Sequence, residues 1–416
     1  MSEKVVVIGG GVIGAMCAWD LSTAGFQVTV VERDRFGAAC SHGNCGYVSP
    51  SHVLPLTRPG QFKATIKEIL KRNSTFAVKP RLNRDSLGWF WKFGRRCNER
   101  DMLDAATGRH ALLQSSKKLY QQLVNQEGIE CEWKEVGILF VHDTPEGFEN
   151  YRKTDRMLRE KFGVAATPYD GQAMLEIEPA LKPGLGGAWH YEGDCHLRPD
   201  KLMTSLRSKL EGRGVQFIEH ASVEKFNRQN GSAISIEAGG QTVQGDKFVV
   251  ATGAWTPFLN EHLGCKIPIE PGKGYSLTMP RPERMPKIPI IFEDAHVAIT
   301  PMENKYRIGS TMEFVGYDSS LNRKRLDLLR MAAEKYLHDP YCDPVEEEWY
   351  GWRPMTWDGK PIIDRSPVMN NVWVAAGHNM LGISLATGTG RLIREMIMGQ
   401  TPHVDAAHFS IERLRK

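Results

Sequence analysis

Gly9, Gly11 and Gly14 stand at the spacing Gly-x-Gly-x-x-Gly, and Glu32 follows the last of them by 18 residues. Glycines so spaced give a tight turn, a close backbone approach to a pyrophosphate, and tight packing of the next helix on the preceding strand. The free N–H groups and positive dipole end of that helix attract phosphate. A carboxylate such as Glu32 accepts hydrogen bonds from an adenosine ribose and repels a 2′-phosphate, which speaks against NADP. The chemistry on offer is the binding of an adenine dinucleotide, and these residues alone do not choose between FAD and NAD.

The elements that must hold these residues are legible beside them. Val5 to Ile8 reads as a strand, an apolar-periodic helix follows Gly14, and Val28 to Val31 reads as a second strand that delivers Glu32. Far along the chain, Lys247-Phe248-Val249-Val250 is another buried strand, and it ends in the small residues Ala251-Thr252-Gly253-Ala254-Trp255. A third, Val372 to Ala376, leads through Gly377-His378-Asn379-Met380-Leu381-Gly382 into a helix expected from about Ile383 to Met398. That helix offers a second positive dipole end. Ala38 to Tyr47, small and polar, has the character of a loop that runs flat against a ligand or over the surface.

Between these blocks the patterns change. Helices are expected over Ala111–Gly128, Pro145–Phe162, from Pro199 or Asp200 to about Gly214, and from about Arg323 to Leu337. Strands are expected at Gly137–Val141, Gln216–Ile218, Ser222–Phe226, Ala233–Ile236, Tyr275–Thr278 and Tyr306–Gly309. Residues 1–58, 188–262 and 350–416 are read as one domain, and 59–187 with 263–349 as a second, built largely on antiparallel sheet.

Composition sets further bounds. With 416 residues and 41% hydrophobic content the chain can bury a large core. It holds no run of about 18 apolar residues, so no transmembrane helix is expected. The N-terminal strand belongs to the fold, which speaks against a signal peptide, and a cytoplasmic location is expected. The 8 cysteines form no Cys-x-x-Cys pair, and His190 and His196 lack a ligand spacing, so no metal is expected. A net charge of +4 is too small to argue for nucleic acid. Residues 63–100 carry 11 Lys or Arg against 3 Asp or Glu, around Trp89, Phe90, Trp91 and Phe93. Two readings follow for this stretch: aromatics packed inward beneath solvated bases, or peripheral contact of 63–96 with the inner face of the cytoplasmic membrane.

Taken in order, the fingerprint ending in Glu32-Arg33, the turn 251–255, and Gly351-Trp352-Arg353-Pro354 with Asp358-Gly359-Lys360-Pro361 before Gly377-His378 resemble the FAD-dependent D-amino-acid oxidase superfamily. Cys40 to Gly46, Gly193-Asp194-Cys195 and Gly272 to Leu277 most resemble its bacterial D-amino-acid dehydrogenase branch. The resemblance implies a mixed α/β fold, in which an FAD-binding Rossmann-like domain is interleaved with an antiparallel-sheet substrate domain. It implies FAD as cofactor, held by Gly9, Gly11, Val12, Ile13, Gly14, Glu32, Arg33, Ser41, Asn44, Gly46, Val223, Thr252, Gly253, Trp255, Gly377, Leu381, Gly382 and Ile383. Arg353 would bind a substrate carboxylate, with Tyr275 and His378 as further site residues. The implied reaction is hydride transfer from the α-carbon of a D-amino acid to flavin N5, giving an imino acid that hydrolyses to a 2-oxo acid and ammonia. Electrons would leave to a quinone or another acceptor. Neighbouring readings are D-hydroxyproline, glycine, sarcosine or another secondary amine, a 2-hydroxy acid, and a non-catalytic flavin module.

Overall fold

The computed structural model describes residues 2–62, 74, 76–79, 81 and 83–414; the basic stretch Lys63–Arg72 lies outside them. Two large sheets organise the chain. The first has six strands in the order Ile362–Arg365, Val372–Ala376, Lys247–Val250, Lys4–Ile8, Gln27–Val31 and Gln216–Ile218. All neighbours in it are parallel except the first pair. Its central strands are near-continuous apolar runs because both faces are covered, as parallel sheets require. On one face, the helices Val12–Thr23 and Gly382–Ile397 share a core with Val5, Val7, Val30 and Val249 of the sheet.

The second sheet has nine strands and is mostly antiparallel. Next to its edge, Ile269–Pro280, 12 residues long, pairs with Lys305–Phe314 on one side and with the edge strand Glu347–Thr356 on the other. Only Tyr275–Thr278 is legible as strand in the sequence, because Pro271, Gly272 and Gly274 interrupt the pattern; sheet pairing on both sides overrides that local signal. The helix Arg323–Tyr336 packs Leu326, Leu329 and Ala333 into the core of this sheet.

The expected segment boundaries meet the sheets in three unexpected ways. Gly187–Tyr191 pairs with Ile138–His142 and Thr167–Asp170 inside the nine-stranded sheet, so 188 falls within a strand of that sheet. Position 350 likewise falls within Glu347–Thr356. The helix read as Ala111–Gly128 begins at Glu99, capped by Asn98 Oδ1 on Asp101 N–H, and ends at a left-handed Gly128. It lies against the six-stranded side: Tyr120 donates to Ile383 O at 2.9 Å, and the Ser116 and Thr387 hydroxyls meet at 2.7 Å. Its first turns escape sequence reading because the buried stripe there is Met102, Ala105, Ala106 and Arg109, too small and polar to read as apolar.

In the described part of the basic region, Arg84–Arg96 is a helix capped by Asn83. Trp89 is buried and stacks on Phe93, with Phe90 and Phe314 beside it. Leu87 and Trp91 face outward at 55% and 59% exposure, with Arg95 over the Trp91 ring. No helix among the described residues is long and apolar enough to cross a membrane.

Candidate functional site

A cavity of about 470 Å³ runs between the two sheets, and its lining joins segments from both ends of the chain. At one end lie Gly9, Gly11, Val12, Ile13, Glu32 and Arg33; at the other, Arg353, His378, Gly382 and Ile383.

The glycine turn is built by contact. Gly9 has φ +110°, and a Cβ on it would lie 2.4 Å from Ala251 O; a Cβ on Gly14 would lie 1.9 Å from Gly9 O. Gly14 therefore stands outside the lining and sets the distance between helix and strand. No side chain caps the helix at Gly11, and Val12 N–H donates to Ser41 Oγ at 2.9 Å. Glu32 spends part of its accepting capacity on the turn itself, taking Gly10 N–H at 2.6 Å and Asp34 N–H at 3.0 Å. A carboxylate has about four lone-pair directions, so it retains acceptors for a ribose.

Beside it, the Arg33 guanidinium lies 3.7 Å over the Trp255 ring. Trp255 meets Trp352 edge-on at 5.4 Å, and Tyr317 completes this wall, its hydroxyl on Ala254 O. Val223, Thr252, Gly253 and Asn44 also line the cavity. Gly46, Gly377 and Leu381 do not. Gly46 (φ +75°) lies against Leu197 O, Gly377 (φ +71°) against Thr356, and Leu381 is buried at the start of the last helix.

Arg353 is held by backbone. Its Nη1 donates to Thr311 O at 2.7 Å and its Nη2 to Ser310 O at 3.4 Å. Ser310 (φ +110°) and Thr311 (φ +51°) are consecutive non-glycine residues in strained conformations, which turn both carbonyls onto the guanidinium. Gly274 leaves the space: a Cβ there would lie 2.3 Å from Nη1. Burial lowers the Arg353 pKa, and the nearby Cys40 and Cys45 thiols act against that shift. No carboxylate among the described residues forms an ion pair with it, so the cation has only carbonyls as partners in the wall of the cavity.

His378 is buried, with Nε2 3.0 Å from Thr389 Oγ1, and burial pushes its pKa down to about 3. It is neutral near pH 7. Tyr275 does not join the cavity. Its hydroxyl donates to Glu313 Oε2 at 2.7 Å, and it lines a separate cavity of about 410 Å³ with Lys273 and Asp318. Side chains alternate across a strand, so Tyr275 leaves the side on which Gly274 faces Arg353.

Sequence reasoning missed three contributors. Trp352 and Tyr317 carried no signal separable from core aromatics. Arg307, also missed, is buried in the large sheet and reaches the 38–47 loop: its Nη1 donates to His42 O at 3.0 Å and Asn44 O at 2.7 Å, its Nε to Thr278 Oγ1 at 2.9 Å. Glu347 sits 3.6 Å from Arg307 and 2.6 Å from His42 Nε2.

Comparison with known proteins agrees with this arrangement. The chain is similar in structure to glycine oxidase from Geobacillus kaustophilus, at 22% identity and a TM-score of 0.77, covering 99% of each chain. It is similar to glycine oxidase from Bacillus cereus at 20% and 0.76, covering 97% of each, and to L-proline dehydrogenase from P. horikoshii at 20% and 0.76, covering 100% of this chain and 98% of that one. At such identities the likeness is one of fold. A family model, that of the FAD dependent oxidoreductases (DAO), matches residues 4–396. With nearly the whole chain inside that match and a glycine cradle and a half-buried arginine lining one cavity, the protein belongs to the DAO family of FAD-dependent oxidoreductases.

Proposed function

We propose that this protein oxidises a D-amino acid to the imino acid, which water converts to a 2-oxo acid and ammonia, with electrons passed to a quinone or another acceptor. The observation that carries the reading is Arg353: a half-buried cation in the cavity wall, fixed by two carbonyls and without a counter-charge among the described residues. A planar guanidinium holds a carboxylate through two parallel hydrogen bonds and so fixes the Cα–H direction. The remaining cavity residues named above are assigned to FAD, with Glu32 on the ribose, the Val12 helix end on the pyrophosphate, and the Gly382 helix end at the ring. FAD, when bound, supplies the two-electron acceptor for hydride. Among the described residues the carboxylates lining the cavity are Glu32 and Asp34, and Glu32 already accepts from Gly10 N–H and Asp34 N–H. His378 is neutral and engaged with Thr389, so it orients structure at the ring end and carries no positive charge. Among the described lining residues between 352 and 383 there is no carboxylate to remove a Cα proton, which supports hydride departure driven by the lone pair of a neutral substrate amine.

The test is anaerobic reduction of the FAD-loaded protein by a panel: D- and L-amino acids, glycine, sarcosine, D-hydroxyproline and 2-hydroxy acids. D-amino acids are expected to bleach the oxidised flavin band. Bleaching by another class alone would replace the substrate assignment, and a flavin that no member reduces would remove the enzymatic reading.

For membrane contact, the outward Leu87, Trp91 and Arg95 support peripheral docking on anionic lipid. Binding to vesicles containing phosphatidylglycerol at low salt, lost at high salt and in Trp91→Ala, is expected; full solubility beside those vesicles at low salt refutes it.

A further inference from the structure

A second group of cations lies where the segment that leaves the cofactor loop meets the helix Glu99–Glu127. Arg109 is 5% exposed, donates Nη2 to His52 O at 2.7 Å and Nη1 to Gly359 O at 3.4 Å, and leaves Nε without a partner among the described residues. Arg58 Nε, Thr57 Oγ1 and His52 Nδ1 are also buried and have no hydrogen-bond partner among the described residues. Thr57 itself is 1% exposed. Neither arginine forms an ion pair with a carboxylate among the described residues. Burial and the neighbouring Arg58 lower the Arg109 pKa to about 9, and burial with both guanidiniums holds His52 neutral.

Two like charges brought together with idle donors are unfavourable unless something negative joins them. The group is tied to the wall of the FAD cavity. Ser384, next to the cavity residue Ile383, accepts from Ser49 N at 3.2 Å and donates to Tyr47 O at 2.7 Å. Gly359, which Arg109 holds, adjoins Lys360, whose carbonyl accepts from Thr356; Thr356 in turn bonds Asn379, another lining residue.

We propose that Arg58 and Arg109, with His52 and Thr57, form a second anion-recognising subsite for a carboxylate or similar oxyanion. Arg58 and Arg109 supply the charge, Thr57 a hydroxyl donor, and neutral His52 a ring nitrogen that donates in one tautomer. The anion has two sources. It is either a distal acidic group on the substrate held by Arg353 or a free small anion from solution.

The test uses the FAD-loaded full chain with malonate as probe and chloride at matched ionic strength as control. A saturable rise in thermal midpoint with malonate beyond that with chloride is expected in the wild type, with apparent affinity about tenfold weaker in Arg58→Gln and partly restored in Arg58→Lys. Absence of a malonate-specific rise in the wild type overturns the proposal whatever the variants do, and so does an unchanged response in Arg58→Gln. A second arm assigns the source. Malonate competing with substrate, together with a selective loss of activity toward D-glutamate over D-norvaline in Arg58→Gln, identifies the substrate's own carboxylate; malonate binding without competition identifies a free anion. The thermal arm requires no turnover, so it stands or falls separately from the assigned reaction.

Discussion

Replacing Gly274 by alanine tests the arginine wall at its tightest point. The added Cβ would lie 2.3 Å from Arg353 Nη1 and 2.4 Å from both Cζ and Nη2. The guanidinium cannot hold its place, and moving it breaks the bonds to Thr311 O and Ser310 O that aim it. Each charge-assisted hydrogen bond contributes about 1.5–3 kcal/mol, so loss of the aligned pair to a substrate carboxylate amounts to about 3–6 kcal/mol. That corresponds to a fall in kcat/KM of about 10²- to 10⁴-fold. The assay is steady-state oxidation of the best amino acid from the reduction panel, with acetate titrated against the oxidised flavin spectrum as a probe of carboxylate affinity. Flavin content and thermal midpoint are measured alongside, since Gly274 is remote from the dinucleotide turn and bound FAD should be retained. Wild-type kcat/KM and acetate affinity in Gly274→Ala would refute the claim that this cation, in this position, reads the carboxylate.

Two further outcomes follow from the geometry. Gly14→Ala would drive a Cβ into Gly9 O at 1.9 Å, so the purified variant is expected to hold well under one FAD per chain; stoichiometric flavin by absorbance would contradict the helix–strand role of Gly14. His378, with its pKa depressed to about 3, contributes stability that is complete above the unfolded value near 6.5 and is lost as pH falls through that window, because the unfolded chain binds the proton first. Between pH 6.5 and 5 the loss is about 2 kcal/mol, and denaturant unfolding of His378→Gln should show a correspondingly shallower acid slope than wild type; identical slopes would argue against a buried neutral imidazole.

Local patterns made some elements readable. Pro145–Phe162 announces itself through Thr144 as cap, Pro145 at the first helical position and Gly163 just past the end, and the structure has those bounds and that cap. The dinucleotide turn is equally local, all its parts lying between Lys4 and Glu32. By contrast, the strand Ile269–Pro280 draws its regularity from partners far away in sequence, which no window over Pro271-Gly272-Lys273-Gly274 contains. Arg353 needed the motif around it to be noticed, and its carbonyl cradle at Ser310 and Thr311 had no sequence signal. Tyr275 shows the limit of adjacency: it neighbours Gly274 in the chain, yet the strand's alternation sends it to Glu313. The small residues at 251–255 have the composition of a turn, and in the structure they lead into a short 3-10 helix, Gly253–Leu259.

Arg307 bears on how this scaffold could be rebuilt. The loop that borders the cofactor cavity takes its shape from an arginine on the opposite sheet, through the carbonyls of His42 and Asn44. Grafting a different large sheet onto the Rossmann half, to exchange one substrate for another, would remove that brace along with the old specificity. A chimera that kept only the residues touching substrate would inherit a slack cofactor loop, whereas one that also carried Arg307 and its Thr278 and Glu347 partners would keep both halves in register.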